Sequence, residues 1–127
     1  MDRTRAEQEA VAILKGVVDA IAGARYADVS KLTEMEVWTP DLLREHVEEH
    51  LRLCGLPCID PWTEERMTSP TNPCYQQLNI FHYNNGSGLA VDYDLSSDGE
   101  RNDLTLQMEF LYEGESLRPV FLDLHVM

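Results

Sequence analysis

Through residues 78–127 apolar and polar side chains alternate with a period of two, the spacing of strands with one buried and one wet face. Leu89, Val91, Tyr93 and Leu95 share a face; so do Leu104, Leu106, Met108, Phe110 and Tyr112, and then Val120, Leu122, Leu124 and Val126. Asn84-Asn85-Gly86 closes a hairpin between segments 78–83 and 89–95, a second turn contains Asp98-Gly99, and a third is Glu113-Gly114-Glu115. Such spacing of turn residues predicts a four-stranded antiparallel meander. A slip of one residue would send every apolar side chain into water, so the pattern also predicts register. Val91 should oppose Met108, and Met108 should oppose Leu122. The other face then falls into rows: Asp94, Thr105, His125; Asp92, Gln107, Asp123; Ala90, Glu109, Phe121.

Upstream the period changes to that of a helix. Ala10, Ile13, Leu14, Val17, Val18 and Ile21 predict a helix over 6–22 with one buried stripe, and Gly23 stands where a C-terminal cap belongs. Tyr26, Val29 and Leu32 predict one or two further turns packed back on it. Thr39-Pro40-Asp41 supplies an N-cap, a proline at the first helical position and an acid at the positive end of the helix dipole. A helix over 40–53 should follow, with Leu43, Val47, His50, Leu51 and Cys54 on one side and His46 at its edge. Pro57, Pro61, Pro70 and Pro73 exclude regular central strands from 55–77. That segment reads as a long connection with one turn of helix after Asp60-Pro61.

The helical stripes have only the apolar sheet face to bury against. The expected fold is α+β, a single domain with a helical part over about 4–54, a proline-rich connection over 55–77 and a sheet over 78–127, the helices packed on one face of the sheet. The order of helix, short helix, helix and antiparallel meander resembles the cystatin-like or nuclear-transport-factor-like roll, whose open sheet face commonly forms a pocket or a dimer contact. A closer resemblance is carried by Val17-Val18-Asp19-Ala20-Ile21 with Tyr26-Ala27-Asp28-Val29, by Thr39-Pro40-Asp41-Leu42-Leu43-Arg44-Glu45, by Arg101-Asn102-Asp103-Leu104-Thr105-Leu106 and by Asp123-Leu124-His125-Val126-Met127. These segments are similar to a bacterial family of small uncharacterised domains, and the resemblance implies a fold rather than an activity.

Charge narrows the functional classes. Asp and Glu outnumber Lys and Arg by 23 to 10, a formal net charge of -13. That field repels nucleic-acid phosphates and anionic membrane surfaces and attracts basic proteins. The 3 cysteines are an odd number, and the first residues lack an apolar signal core, so a cytoplasmic, soluble protein is expected.

Candidate chemistry is sparse. His46-Val47-Glu48-Glu49-His50 has the H-x-x-E-H spacing of a helical zinc site, but Glu49 should face away from the stripe that holds His50. His50, Cys54, Cys58 and Cys74 are the ligand types of a structural zinc site, yet Pro57 interrupts their spacing and no paired C-x2-C knuckle is present. No metal or cofactor is expected. On the open face, Asp92 and Asp123 flank Gln107, and Asp123 lies two residues from His125, where a carboxylate favours the charged imidazole. Phe81, Tyr83, Leu111 and Phe121 are expected among these polar residues. Trp38 and Trp62 should anchor loops on the core.

An acidic, partly aromatic face reads as a protein-binding surface rather than an active site. The candidate contact residues are Asp92, Asp94, Gln107, Glu109, Phe121, Asp123 and His125. The partner is either a basic protein, for which an immunity protein against a cationic toxin is one form, or a second copy pairing through the sheet face as a homodimer. The alternative is a small-molecule pocket, or less favourably an enzyme site, with Asp94, Asp123 and His125 at its mouth.

Overall fold

In the computed structural model, which describes residues 1–126, the two long helices begin where side chains take up free amide groups. α1 (Arg3–Ala22) opens on Asp2, whose carboxylate accepts from the Arg5 amide at 2.8 Å. It closes at Gly23, but the left-handed residue there is Ala24, with φ 57°. α2 (Tyr26–Leu32) follows and buries Tyr26 and Val29. After a two-residue strand β1 (Glu34–Met35), α3 (Pro40–Cys54) starts on the Thr39 hydroxyl, which accepts from the Leu42 amide at 3.1 Å, and ends on Gly55 at φ 65°.

Four longer strands complete the fold: β2 (Leu78–His82), β3 (Gly88–Ser97), β4 (Glu100–Glu113) and β5 (Ser116–Val126). They form the antiparallel meander, but β1 adds parallel to β5, giving a mixed five-stranded sheet of order β1-β5-β4-β3-β2 instead of four antiparallel strands. Two residues carry no periodicity, which is why β1 left no trace in the pattern. The expected sheet segment ends at Met127, outside the described residues.

One face of the sheet is buried under the helices. Leu14, Val17 and Val18 of α1, with Leu43 and Val47 of α3, pack in a single core with Leu89, Val91, Leu104, Leu106, Met108, Phe110 and Leu124. Val91 opposes Met108 as expected, but Met108 opposes Phe121, not Leu122. The ladder shifts between Gln107 and Met108, so Leu122 is the extra residue of a β-bulge. Phe121 therefore turns inward and is 2 % exposed, whereas Leu122 is 42 % exposed. Trp38 holds Phe121 there with an edge contact at 5.5 Å.

The β3–β4 turn is tighter than expected, with Asp98 and Gly99 both left-handed at φ 52° and 77°. Gly88, at the start of β3, allows close backbone approach: a Cβ there would lie 2.2 Å from the Phe110 carbonyl oxygen.

The connection 55–77 contains no helix. At Asp60, where a helical turn is expected, the backbone amide instead bonds the Ser96 carbonyl of β3 at 2.8 Å. The Asp60 carboxylate then clamps the β3–β4 turn, accepting from Ser96 Oγ at 2.8 Å, the Asp98 amide at 3.0 Å and the Gly99 amide at 2.8 Å. Trp62 stacks on Tyr93 at 5.0 Å, and its amide bonds Asp19 of α1 at 2.8 Å. The segment is a strap that leaves the helical layer, rounds the end of the β3–β4 hairpin and reaches the open face at Tyr75.

Candidate functional site

Strand register assembles the open face. Asp94, Thr105 and His125 pair across β3, β4 and β5; Asn79, Asp92, Gln107 and Asp123 pair across all four antiparallel strands. Adjacent strands lie ~4.8 Å apart, so Asp92 and Asp123 stand about 10 Å from one another with Gln107 between. The third row is Phe81, Ala90, Glu109 and Val120. Phe121 leaves the open face for the core because the bulge at Leu122 reverses the parity of β5. Its place beside Glu109 is taken by Val120, which is buried between β4 and β1.

The apolar members of the face lie at its flanks. Phe81 on β2 is 52 % exposed, and Leu122 stands exposed next to Asp123 on β5. Leu111 faces the same way, opposite Arg118, whose guanidinium is paired with Glu34 at 3.3 Å. Tyr83 lies beside Glu109; burial first, and then a hydrogen bond to that carboxylate, raise its phenol above the ordinary pKa.

On the open face, Asp94 is held by a donor at each of its two oxygens. Tyr75 Oη donates to one oxygen at 2.7 Å and Thr105 Oγ1 to the other at 2.7 Å. Burial, reinforced by the bond to Asp94, pushes the Tyr75 phenol well above its usual range. Behind it, Gln77 is 2 % exposed and fully engaged. Its amide group donates to the Asp94 carbonyl at 2.9 Å and to Tyr93 Oη at 3.2 Å, and its oxygen accepts from the Met67 amide at 2.8 Å. The Arg101 guanidinium sits 4.9 Å from the Tyr75 ring. Together Tyr75, Arg101, Asn79, Asp92, Thr105 and His125 help line a cleft of about 350 Å³ that includes Asp94. Asp123 lies beside the cleft, with Oδ2 3.3 Å from His125 Nδ1.

The candidate ligands His50, Cys54, Cys58 and Cys74 do not gather into one group, and all three thiols are free and exposed. His50 Nε2 lies 2.5 Å from the Asn102 carbonyl, Cys54 Sγ stands 3.8 Å from that ring nitrogen, and Glu49 is exposed. His46 packs edge to face with Trp38 at 5.4 Å. Among the described residues the group of three potential ligands lying together is Cys58, Asp60 and Asp98, and there the Asp60 carboxylate already serves the hairpin turn.

Tyr75, Gln77 and Asp60 were not foreseen. Each acts through a contact across the fold from within a segment without periodicity, and the sequence signal nearest to them was only the density of prolines. Carboxylates presented in rows, with exposed apolar groups beside them, can receive guanidinium or ammonium groups and bury the carbon chains that carry them.

Residues 18–127 match the family described as a domain of unknown function, DUF7668. The chain belongs to that family. The matched span omits most of α1 and takes in the whole of the open face and the strap. No curated protein and no solved structure matches the chain. No described helix is long and apolar enough to cross a membrane.

Proposed function

We propose that this DUF7668 domain is a bacterial, cytoplasmic binding module with a cystatin-like roll, and that its open sheet face docks a basic protein. The observation carrying this reading is that Asp92, Asp94, Glu109 and Asp123 share one face with exposed Phe81 and Leu122. Opposite charge on a partner would speed encounter and set its orientation, while the two apolar groups supply area that loses water on contact. An immunity-type role against a cationic toxin fits this surface. A face-to-face homodimer fits it less well, because the carboxylate rows would meet their own copies.

The test is Asp92→Lys with Asp123→Lys, which moves the formal net charge from -13 to -9. Partner capture from the native host with wild type and variant side by side, followed by titration of the captured protein, should show binding lost in the variant at unchanged thermal stability. Glu48→Lys with Glu49→Lys makes the same charge change on exposed positions of α3. Equal affinity in the face variant, or equal loss in the α3 control, refutes docking at the sheet face.

The cleft at Asp94 and His125 supports a second reading, a small polar ligand held against Tyr75. Its volume of about 350 Å³ falls at the small end of ligand sites. Native mass spectrometry of the protein as purified should then show an added mass that Tyr75→Ala abolishes.

A further inference from the structure

The sheet ends on β2 at one side and on the two-residue β1 at the other. A very short edge is one of the ordinary ways to discourage strand addition; charge, proline and bulges are others. The β2 strand itself has none of these, and the charge nearest to its edge is Glu7 of α1, beside His82. Leu78-Asn79-Ile80-Phe81-His82 contains no proline and pairs with β3 in unbroken register. No Asp, Glu, Lys or Arg occurs anywhere between Arg66 and Asp92, in a chain that carries 33 such residues (10 + 23).

Hydrogen-bond parity shows which backbone groups are free on this edge. The Asp94 amide bonds the Gln77 carbonyl at 3.0 Å and the Tyr83 amide bonds the Gly88 carbonyl at 3.0 Å. In an antiparallel pair bonded and non-bonded positions alternate, so Asn79 and Phe81 face β3, and Leu78, Ile80 and His82 turn their N–H and C=O groups outward. That outward edge has an exposed aromatic ring on one flank and a cleft of mixed lining on the other. Phe81 is 52 % exposed on the open side. On the helix side a cleft of about 400 Å³ is lined by Ile80 with Val11, Gln8 and Glu7 of α1, and Glu7 is 3.3 Å from His82 Nε2.

We infer that β2 is a self-pairing edge, and that a second copy of this chain adds its own β2 antiparallel about a two-fold axis at Ile80. In that register Ile80 of one copy faces Ile80 of the other, and Leu78 of each faces His82 of the other. Each of these is a position with outward backbone groups, so every pair closes two hydrogen bonds. Phe81 of each copy packs across from Asn79 of the other on the open side. The occupant is a second copy and not a basic strand, because β2 itself carries no Asp, Glu, Lys or Arg and the carboxylate beside its outward edge, Glu7, is already taken up by His82. For the same reason two copies meet here without opposed carboxylates, while their overall charge still repels over longer range.

Sedimentation of the full chain from low micromolar to near-millimolar concentration, in low and in high salt, tests the pairing. A monomer–dimer equilibrium that tightens as salt rises is expected, with amide-exchange protection of Leu78, Ile80 and His82 growing with concentration. Phe81→Lys, at an exposed position, should weaken the dimer by at least about tenfold while keeping the wild-type circular dichroism. Asp92→Lys with Asp123→Lys should leave the dimer intact, so failure of the docking surface and failure of the edge are read separately. A monomer at every concentration, a dimer unaffected by Phe81→Lys or lost with the Asp92/Asp123 variant, or edge amides protected only by a different protein would each overturn self-pairing.

Discussion

Removing the hydroxyl of Tyr75 should loosen the strap from the open face by a measurable amount. Tyr75 Oη and Thr105 Oγ1 each donate to a different oxygen of Asp94 at 2.7 Å. A hydrogen bond to a charged group contributes about 1.5–3 kcal/mol net. The site borders a solvent cleft, where water replaces part of what is lost, so Tyr75→Phe should cost about 1–2 kcal/mol. With a urea dependence of about 1.5 kcal/mol per molar, the unfolding midpoint should fall by about 1 M. Thr105→Val strips the other oxygen. The double variant leaves the half-buried carboxylate without either donor, so it should depart from additivity by about 0.5 kcal/mol or more. Amide exchange should place the loss locally: Met67, whose amide bonds Gln77 Oε1, should exchange faster in Tyr75→Phe, whereas the Met108 amide in the sheet centre follows global unfolding. An unchanged midpoint together with unchanged exchange at Met67 would refute the strap's attachment through Asp94.

The β5 bulge is tested by a pair of truncations. Phe121→Ala should cost about 3–5 kcal/mol and Leu122→Ala less than about 1 kcal/mol in urea unfolding; the reverse order would restore the unbulged register. Alkaline pH should also destabilise the fold. Tyr26, Tyr75, Tyr83 and Tyr93 all have phenols raised above the ordinary 10.0, burial being the first cause in each. The folded state keeps these protons while the unfolded chain releases them, so the associated stability is fully present below pH 10 and declines as pH rises beyond it. Ultraviolet titration should show phenolate absorbance lagging until unfolding; ionisation of all 5 tyrosines at the ordinary value in the folded protein would contradict it.

Much of this architecture was legible because its signals are local and repeated. Thr39-Pro40-Asp41 marks the start of α3 through capping chemistry that needs no tertiary partner, and the rows Asp92–Gln107–Asp123 and Asp94–Thr105–His125 follow from alternation in β3 and β4. The same rule failed at Val120-Phe121-Leu122, where three consecutive apolar residues carry no parity and either phase satisfies the pattern. Packing decides there: Phe121 fills the space beside Trp38, and the ladder absorbs the extra residue at Leu122. The strap was illegible for another reason. Asp60, Tyr75 and Gln77 are placed by bonds to residues as distant in sequence as Ser96, Asp94 and Met67, and such partners leave no spacing to read.

The two proposed surfaces, the acidic face and the uncharged edge, are related by geometry. A two-fold axis that pairs β2 with its copy in antiparallel sense runs perpendicular to the sheet, so both open faces would lie on the same side of one continuous sheet. Phe81 and Asn79 would form the seam, and a set of carboxylates at Asp92, Glu109 and Asp123 would flank it on either side. A basic partner carrying two cationic patches would then gain from the second contact through effective concentration alone. Salt acts on the two contacts with opposite sign, weakening attraction between face and partner while relieving repulsion between like copies. The Asp92→Lys with Asp123→Lys variant separates them: it leaves the Phe81–Asn79 seam intact while stripping the carboxylates that flank it, so the protein should still pair with its copy yet lose the basic partner, whereas Phe81→Lys, which belongs to both surfaces, should weaken both contacts.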